Sequence, residues 1–146
     1  FKRGVLVAGT LTNSRVVRVN GMPSDSPSGP PGSVTVVEFE LCGQPFTAMS
    51  AGTTDQFNHA ISFVANCEDQ IEVDRYWNAL LEGGKAEACG WLKDRYGLSW
   101  QIVPTVLFEM MASPDRAAAK RAADAMMKMV KFDVAALKAA FTDTPP

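Results

Sequence analysis

The sequence predicts an α+β protein: strands in the first half, a strand–helix–strand–strand unit in the middle, and helices at the end. Three observations carry this reading. Val34-Thr35-Val36-Val37-Glu38-Phe39-Glu40-Leu41 is β-branched and alternates apolar with polar, the period-two signature of a strand. Ile71, Val73, Tyr76, Trp77, Leu80 and Leu81 recur at helical spacing. Ala119, Ala122, Ala123, Met126, Met129 and Val130 form a second such stripe near the C-terminus.

The elements follow in order. Ser14 to Val19 reads as a strand with imperfect alternation, and residues 22–33, rich in proline and glycine, read as a mobile surface loop. The 34–41 strand passes through the turn Cys42-Gly43-Gln44-Pro45 into Pro45–Met49, a hairpin in an antiparallel meander. Ala60-Ile61-Ser62-Phe63-Val64-Ala65 fits a short buried strand. Asp69, with Glu72 three residues later, is a capping box that opens the first helix, and Gly83-Gly84 ends it. Cys89–Asp94 and Leu98–Val103 are strands around the turn Asp94-Arg95-Tyr96-Gly97. The sheet they form is expected to be mostly antiparallel and covered on one face. Thr105–Met111 is a short helix. Ser113-Pro114-Asp115, with serine as cap, starts a longer one running through Val130, and Asp133 caps a last helix over 134–141.

Composition narrows the function classes. The chain has 146 residues, 47% of them hydrophobic, which suffices for one domain core. Its 14 basic and 16 acidic residues leave a net charge of −2, so no global field gathers nucleic acid or anionic lipid. The basic residues of the C-terminal helices are spread among acidic ones, as on a solvated face. No apolar run reaches the ~18–20 residues of a membrane span, and Val5-Leu6-Val7-Ala8 is too short for a signal peptide. Three cysteines without a close pair point to a reducing compartment, so a cytoplasmic protein is expected.

The string Asp94-Arg95-Tyr96-Gly97-Leu98-Ser99-Trp100-Gln101-Ile102-Val103-Pro104 resembles the last hairpin of the vicinal-oxygen-chelate (glyoxalase/bleomycin-resistance/dioxygenase) superfamily. The longer Gly90–Gln101 segment is similar to one branch, the PhnB-like or 3-demethylubiquinone 3-methyltransferase-like proteins. Ala60–Phe63, Glu72–Trp77, Ala125–Met129 and Asp133–Leu137 resemble the same branch. The resemblance implies glyoxalase-like βαβββ modules in a curved mixed sheet around a cavity, commonly in dimers. The second module spans about 59–103. The first lacks its opening strand and helix, since Phe1–Thr12 has no helical periodicity. Residues 1–104 are then the glyoxalase-like domain and 105–146 a helical extension. An incomplete module leaves a sheet edge for a second chain to cover, so a homodimer is expected.

For this fold the expected cavity residues are His59, Ile61, Phe63, Ser99, Gln101 and Val103, with Trp100 and Ile102 turned to the covering helix by strand alternation. Trp77 and Trp100 are expected to pack together. Metal-dependent members hold a divalent ion with His and Glu; here only His59 and Gln101 stand in such places. A catalytic zinc takes three protein ligands and hard cations prefer carboxylates, so no metal cofactor is expected. Cys42, Cys67 and Cys89 read as buried or half-buried thiols rather than nucleophiles, and no G-x-S-x-G turn surrounds a serine. The branch's methyltransferase label finds no glycine-rich strand–helix turn for a methyl donor. The expected function is therefore binding of a small, partly apolar molecule, without nucleic acid or membrane as partner. The alternatives are a metal-dependent isomerase, lyase or dioxygenase using His59, Gln101 and partner-subunit ligands, and a structural or regulatory dimer without ligand.

Overall fold

Cys42 and Gly43 both take positive φ, 49° and 80°, the twist that a two-residue hairpin turn needs. They join β2 (Thr35–Leu41) to β3 (Gln44–Ser50), and β1 (Arg15–Gly21) pairs with the other side of β2. The computed structural model describes residues 11–50, 52 and 56–143 and divides the chain into two units, Phe1–Gln56 and Phe57–Pro146. The three strands are the antiparallel sheet of the first unit, in the order β1-β2-β3. Directly opposed charges lace β1 to β2: Arg15 with Glu40 at 2.8 Å and Arg18 with Glu38 at 3.0 Å. The Arg15 hydrogen bond holds the Glu40 carboxyl below its usual range. Residues 22–33, expected to be a mobile loop, are closed by Met22 N–H donating to the Val34 carbonyl and Gly32 N–H to the Met22 carbonyl, each at 2.8 Å. The expected first-module departure over 1–12 falls largely outside the described residues.

The second unit opens with β4 (Ser62–Cys67), then α1 (Gln70–Leu81), β5 (Lys85–Ala86), β6 (Trp91–Lys93) and β7 (Ser99–Pro104). That is one βαβββ module. Its sheet runs β4-β7-β6-β5 and is mixed: β4 lies parallel to β7, while β7, β6 and β5 are antiparallel neighbours. The capping box forms one residue out of place. Asp69 accepts from Glu72 N–H at 2.9 Å, but the Glu72 carboxylate accepts from Glu68 N–H rather than from Asp69. Val73, Tyr76, Trp77 and Leu80 are buried as the periodicity predicts, whereas Ile71 stays 77% exposed. Alternation is stricter in β4 than its apolar run suggests: Ala65 and Cys67 are buried, Val64 and Asn66 exposed.

Three helices follow: α2 (Thr105–Ala112), α3 (Arg116–Met126) and α4 (Val134–Thr142). Asp115, not Ser113, caps α3, because its carboxylate reaches both Ala117 and Ala118 N–H. Helix α3 stops short of the expected Val130. After Met126 the chain tightens, with Lys128 and Met129 N–H donating to the Ala125 and Met126 carbonyls, and the carbonyls of Met129 and Val130 are taken at 2.8 Å by Cys89 and Gly90 N–H. Val103, Leu107, Met110, Ala122, Phe132 and Leu137 form the core of this helical region. Among the described residues no helix is long and apolar enough to cross a membrane.

Gly90 is a tight joint between the module and the helices. Its φ is +77°, and a Cβ there would stand 2.4 Å from the ring of buried Phe132. Gly90→Ala is expected to cost about 2–4 kcal/mol in urea unfolding, combining backbone strain with overpacking.

The thiols are less uniform than expected: Cys42 is exposed, Cys89 half-buried and Cys67 buried. Burial, reinforced by the Glu72 carboxylate, pushes the Cys67 thiol up to about 12. Iodoacetamide at mild alkaline pH should therefore modify Cys42 and spare Cys67 until the chain unfolds, read by peptide mass spectrometry. Because the raised value belongs to the folded state, the thiol's contribution to stability is intact below about 8.5 and lost as pH rises from there towards 12.

Candidate functional site

The turn Asp94–Gly97 sets which residues of β6 and β7 stand side by side. Asp94 is 4% exposed, and its carboxylate accepts from Tyr96 N–H at 2.8 Å, Leu98 N–H at 3.1 Å and the Trp100 indole N–H at 3.2 Å. The register that follows pairs Trp91 with Gln101 and Leu92 with Trp100; across β7, Gln101 also pairs with Val64 and Trp100 with Phe63. Paired residues point to the same side of a sheet, so the module has two unlike faces. One carries Leu92, Trp100, Ile102, Ala65 and Cys67, all at most 4% exposed. The other carries Trp91, Gln101 and Val64 abreast, none of them buried.

Around that second face a polar cluster assembles. The Gln101 amide donates to Ser62 Oγ at 2.9 Å. His59 stands in the turn before β4, where Asn58 Oδ1 accepts from Ala60 N–H at 2.8 Å in an Asx-type bond. Its Nε2 meets Glu87 Oε2 at 2.9 Å, and its ring lies beside the Trp91 ring with centroids 6.2 Å apart. Glu87 is anchored in turn, its N–H donating to the Trp91 carbonyl at 2.8 Å. The His59 side chain is 54% exposed and that of Glu87 24%, so the pair faces outward but is not fully solvated. When Nε2 carries the proton for Glu87, Nδ1 is left as an acceptor: a carboxylate-oriented imidazole can hold or take a proton.

The six residues expected to line a cavity do not share one surface. His59 and Gln101 belong to the same open face. Ser99 has the same parity as Gln101 but is fully buried, and its Oγ has no hydrogen-bond partner among the described residues. Val103 also has that parity, yet it is closed into the helical core with Leu107 and Phe132. Phe63 lies on the opposite face, its ring 5.3 Å from that of Trp100. Trp100 thus takes Phe63, rather than the expected Trp77, as its ring partner. Ile61 precedes β4 and is 70% exposed.

The sequence analysis missed Glu87, Ser62 and Val64 and assigned Trp91 to neither face. Trp91 was recoverable, since counting back evenly from the Asp94–Leu98 turn pairs it with Gln101. Glu87 had no such signal. As for the divalent ion of metal-dependent relatives, no group of three His, Cys, Asp or Glu comes together among the described residues. His59 and Glu87 are bonded to each other, and Gln101 adds only an amide. That donor set does not fit a catalytic divalent site.

A putative 3-demethylubiquinone-9 3-methyltransferase, PhnB protein, from Bacillus cereus has a similar structure, with a TM-score of 0.62 and 23% identity over 71% of this chain and 89% of that one. Protein PA1353 from Pseudomonas aeruginosa is more distant, with a TM-score of 0.46 and 20% identity over 60% and 77%. No curated protein matches. The first likeness shows the glyoxalase-like fold. The sequence pattern of the 3-demethylubiquinone-9 3-methyltransferase family matches residues 6–103, about two thirds of the chain, and the protein belongs to that family.

Proposed function

We propose that the protein binds a small, partly apolar molecule on the open face of β4, β7 and β6. Trp91 and Val64 meet its apolar part; Gln101, Ser62 and His59 meet a polar group. The observation that carries this reading is the His59–Glu87 pair held against the Trp91 ring, a polar group with a fixed orientation next to an aromatic surface. A hydroxyl with an acidic proton suits such a place, because His59 Nδ1 accepts it while Glu87 steadies the ring. Methyl transfer is not part of this reading: β4 passes to α1 through Glu68 and Asp69, not through a glycine-rich turn. We assign the glyoxalase-like domain to 1–104 and the helical extension to 105–146. We place the protein in the cytoplasm, in keeping with its free cysteines.

A thermal-shift panel of small phenols, hydroxyquinones and aryl carboxylates tests the reading on the whole chain. A true ligand should raise the Tm by about 5–10 °C at a hundredfold excess over Kd. Gln101→Leu and Trp91→Ala should each abolish the shift. A shift that survives in both variants would move the site elsewhere, and a panel without any hit would overturn the reading.

We also propose a homodimer built on the first sheet. Among the described residues β1 is an edge strand whose seven residues are all exposed, Val16, Val17 and Val19 among them, and a second copy is the partner that covers such an edge. Light scattering should give about 31 kDa, twice the 15.7 kDa of one chain, and Val17→Lys should shift it towards one chain. A species of 15.7 kDa at micromolar concentration would sink the proposal.

A further inference from the structure

Four residues stand abreast at the end of the open face where β7 begins. The register pairs Ser62 with Ser99 across β4 and β7, Ser99 with Lys93 across β7 and β6, and Lys93 with Lys85 across β6 and β5. Ser99 has the parity of Gln101, so all four belong to the face of Trp91 and Val64, about 7 Å along the strands from them. Among the described residues this row has donors and no free acceptor. Ser62 Oγ already accepts from the Gln101 amide, which leaves its hydroxyl proton to give. Ser99 Oγ is fully buried and has no hydrogen-bond partner. Lys93 is half-buried, and neither it nor Lys85 makes an ion pair. Glu87, two residues past Lys85, is taken by His59. Opposed charges in the first sheet are complementary, Arg15 with Glu40 and Arg18 with Glu38, whereas Lys85 and Lys93 are alike and repel.

We propose that this row is the anion-binding end of the open face, and that the molecule bound there is an organic oxyanion. The inference rests on the binding reading of that face and adds the class of its ligand: an apolar ring against Trp91 and Val64, carrying a carboxylate or phosphate that lies over Ser99. Ser62 and Lys93 stand on the strands either side of β7, about 10 Å apart, so an oxyanion between them has Ser99 beneath it. Lys93 supplies charge, with Lys85 behind it, and the two serines each supply a hydroxyl proton. A buried hydroxyl without an acceptor is costly, and native folds leave few of them; an anion oxygen is the acceptor that Ser99 lacks. Lysine is a point charge rather than a planar fork, so charge and hydroxyl donors select the group, and carboxylate and phosphate both satisfy them. Binding makes and breaks no covalent bond.

The test titrates the full chain with para-hydroxybenzoate, para-hydroxyphenyl phosphate and neutral para-hydroxybenzamide, which share a ring and a hydroxyl and differ in the group that meets the row. At least one anion should bind about tenfold or more tighter than the amide, and the tighter of the two tells carboxylate from phosphate. The advantage should shrink with added salt and vanish in Lys93→Met. Ser99→Ala should cut it about threefold or more. Neither variant should lower the Tm of the ligand-free protein, since one ends the repulsion with Lys85 and the other removes an unpaired buried hydroxyl. Anions and amide binding equally well would overturn the anion end and leave the binding reading standing, and so would an advantage that survives in Lys93→Met. A fall in ligand-free Tm for Ser99→Ala would overturn the part given to that hydroxyl. If none of the three binds, the binding reading fails, and inorganic phosphate and acetate decide for the row alone. Amide NMR shifts at Ser62, Lys93 and Ser99 that disappear in Lys93→Met would uphold it, and their absence in the parent protein would overturn it.

Discussion

The Asp94 carboxylate is the constraint on which the second unit depends. A buried charge is costly unless donors surround it, and this one is met by two backbone N–H groups of its own turn and by the Trp100 indole. The first two bonds fix the turn; the third carries that order into β7. A one-residue slip of β7 against β6 would turn every side chain of β7 to the other face. Trp100 could then no longer reach Asp94, and Gln101 would be driven into the covered side. One carboxylate thus selects the register, and the register selects the open face.

That selection explains how a small sheet keeps one dry side and one accessible side. Helix α1 buries Val73, Tyr76, Trp77 and Leu80, while Leu92, Trp100, Ile102 and Cys67 supply the covered side of the sheet. The opposite side is left with residues that hydrogen-bond as well as pack. Gln101 bonds Ser62 across the parallel pair, and His59, just before β4, bonds Glu87, between β5 and β6. Neither bond is an element of regular structure. The first exists because the sheet order β4-β7-β6-β5 brings the first strand of the module beside its last.

Much of this was legible in the residues, and the reason differs by element. The β2 strand, the Asp69 cap and the Asp133 cap are local: alternation and side-chain oxygens three residues from a bare N–H announce themselves. The face of Trp100 and Gln101 was legible from alternation within one strand. The face of Phe63 was not. Its run, Ala60 to Ala65, is apolar at nearly every position, so only the parallel register with β7 decides that Phe63 joins Trp100. Val103 carried the right parity, yet the core of α2, α3 and α4 covers the far end of β7, and parity along a strand says nothing about what lies above it. Glu87 was invisible for the plainest reason: it is 28 residues from His59, beside a strand of two residues.

The helical extension is tied to the site through two consecutive residues. Cys89 and Gly90 give their N–H groups to Met129 and Val130, and the Gly90 carbonyl accepts from Ile102 N–H at 2.8 Å. The segment that delivers Trp91 is therefore gripped from one side by the chain after α3 and from the other by β7. Phe132 fills the space where a Gly90 side chain would stand, which makes glycine a requirement of the joint rather than a convenience. Gln70 extends the tie, donating to the Phe132 carbonyl at 3.2 Å and accepting from Val134 N–H at 2.8 Å. Lys131 adds another by bonding Asp74 at 2.6 Å. Helix α1 and the extension are thereby pinned together on either side of the joint. A Trp91 ring held only by the three residues of β6 would pivot; held from both sides, it keeps its place beside His59.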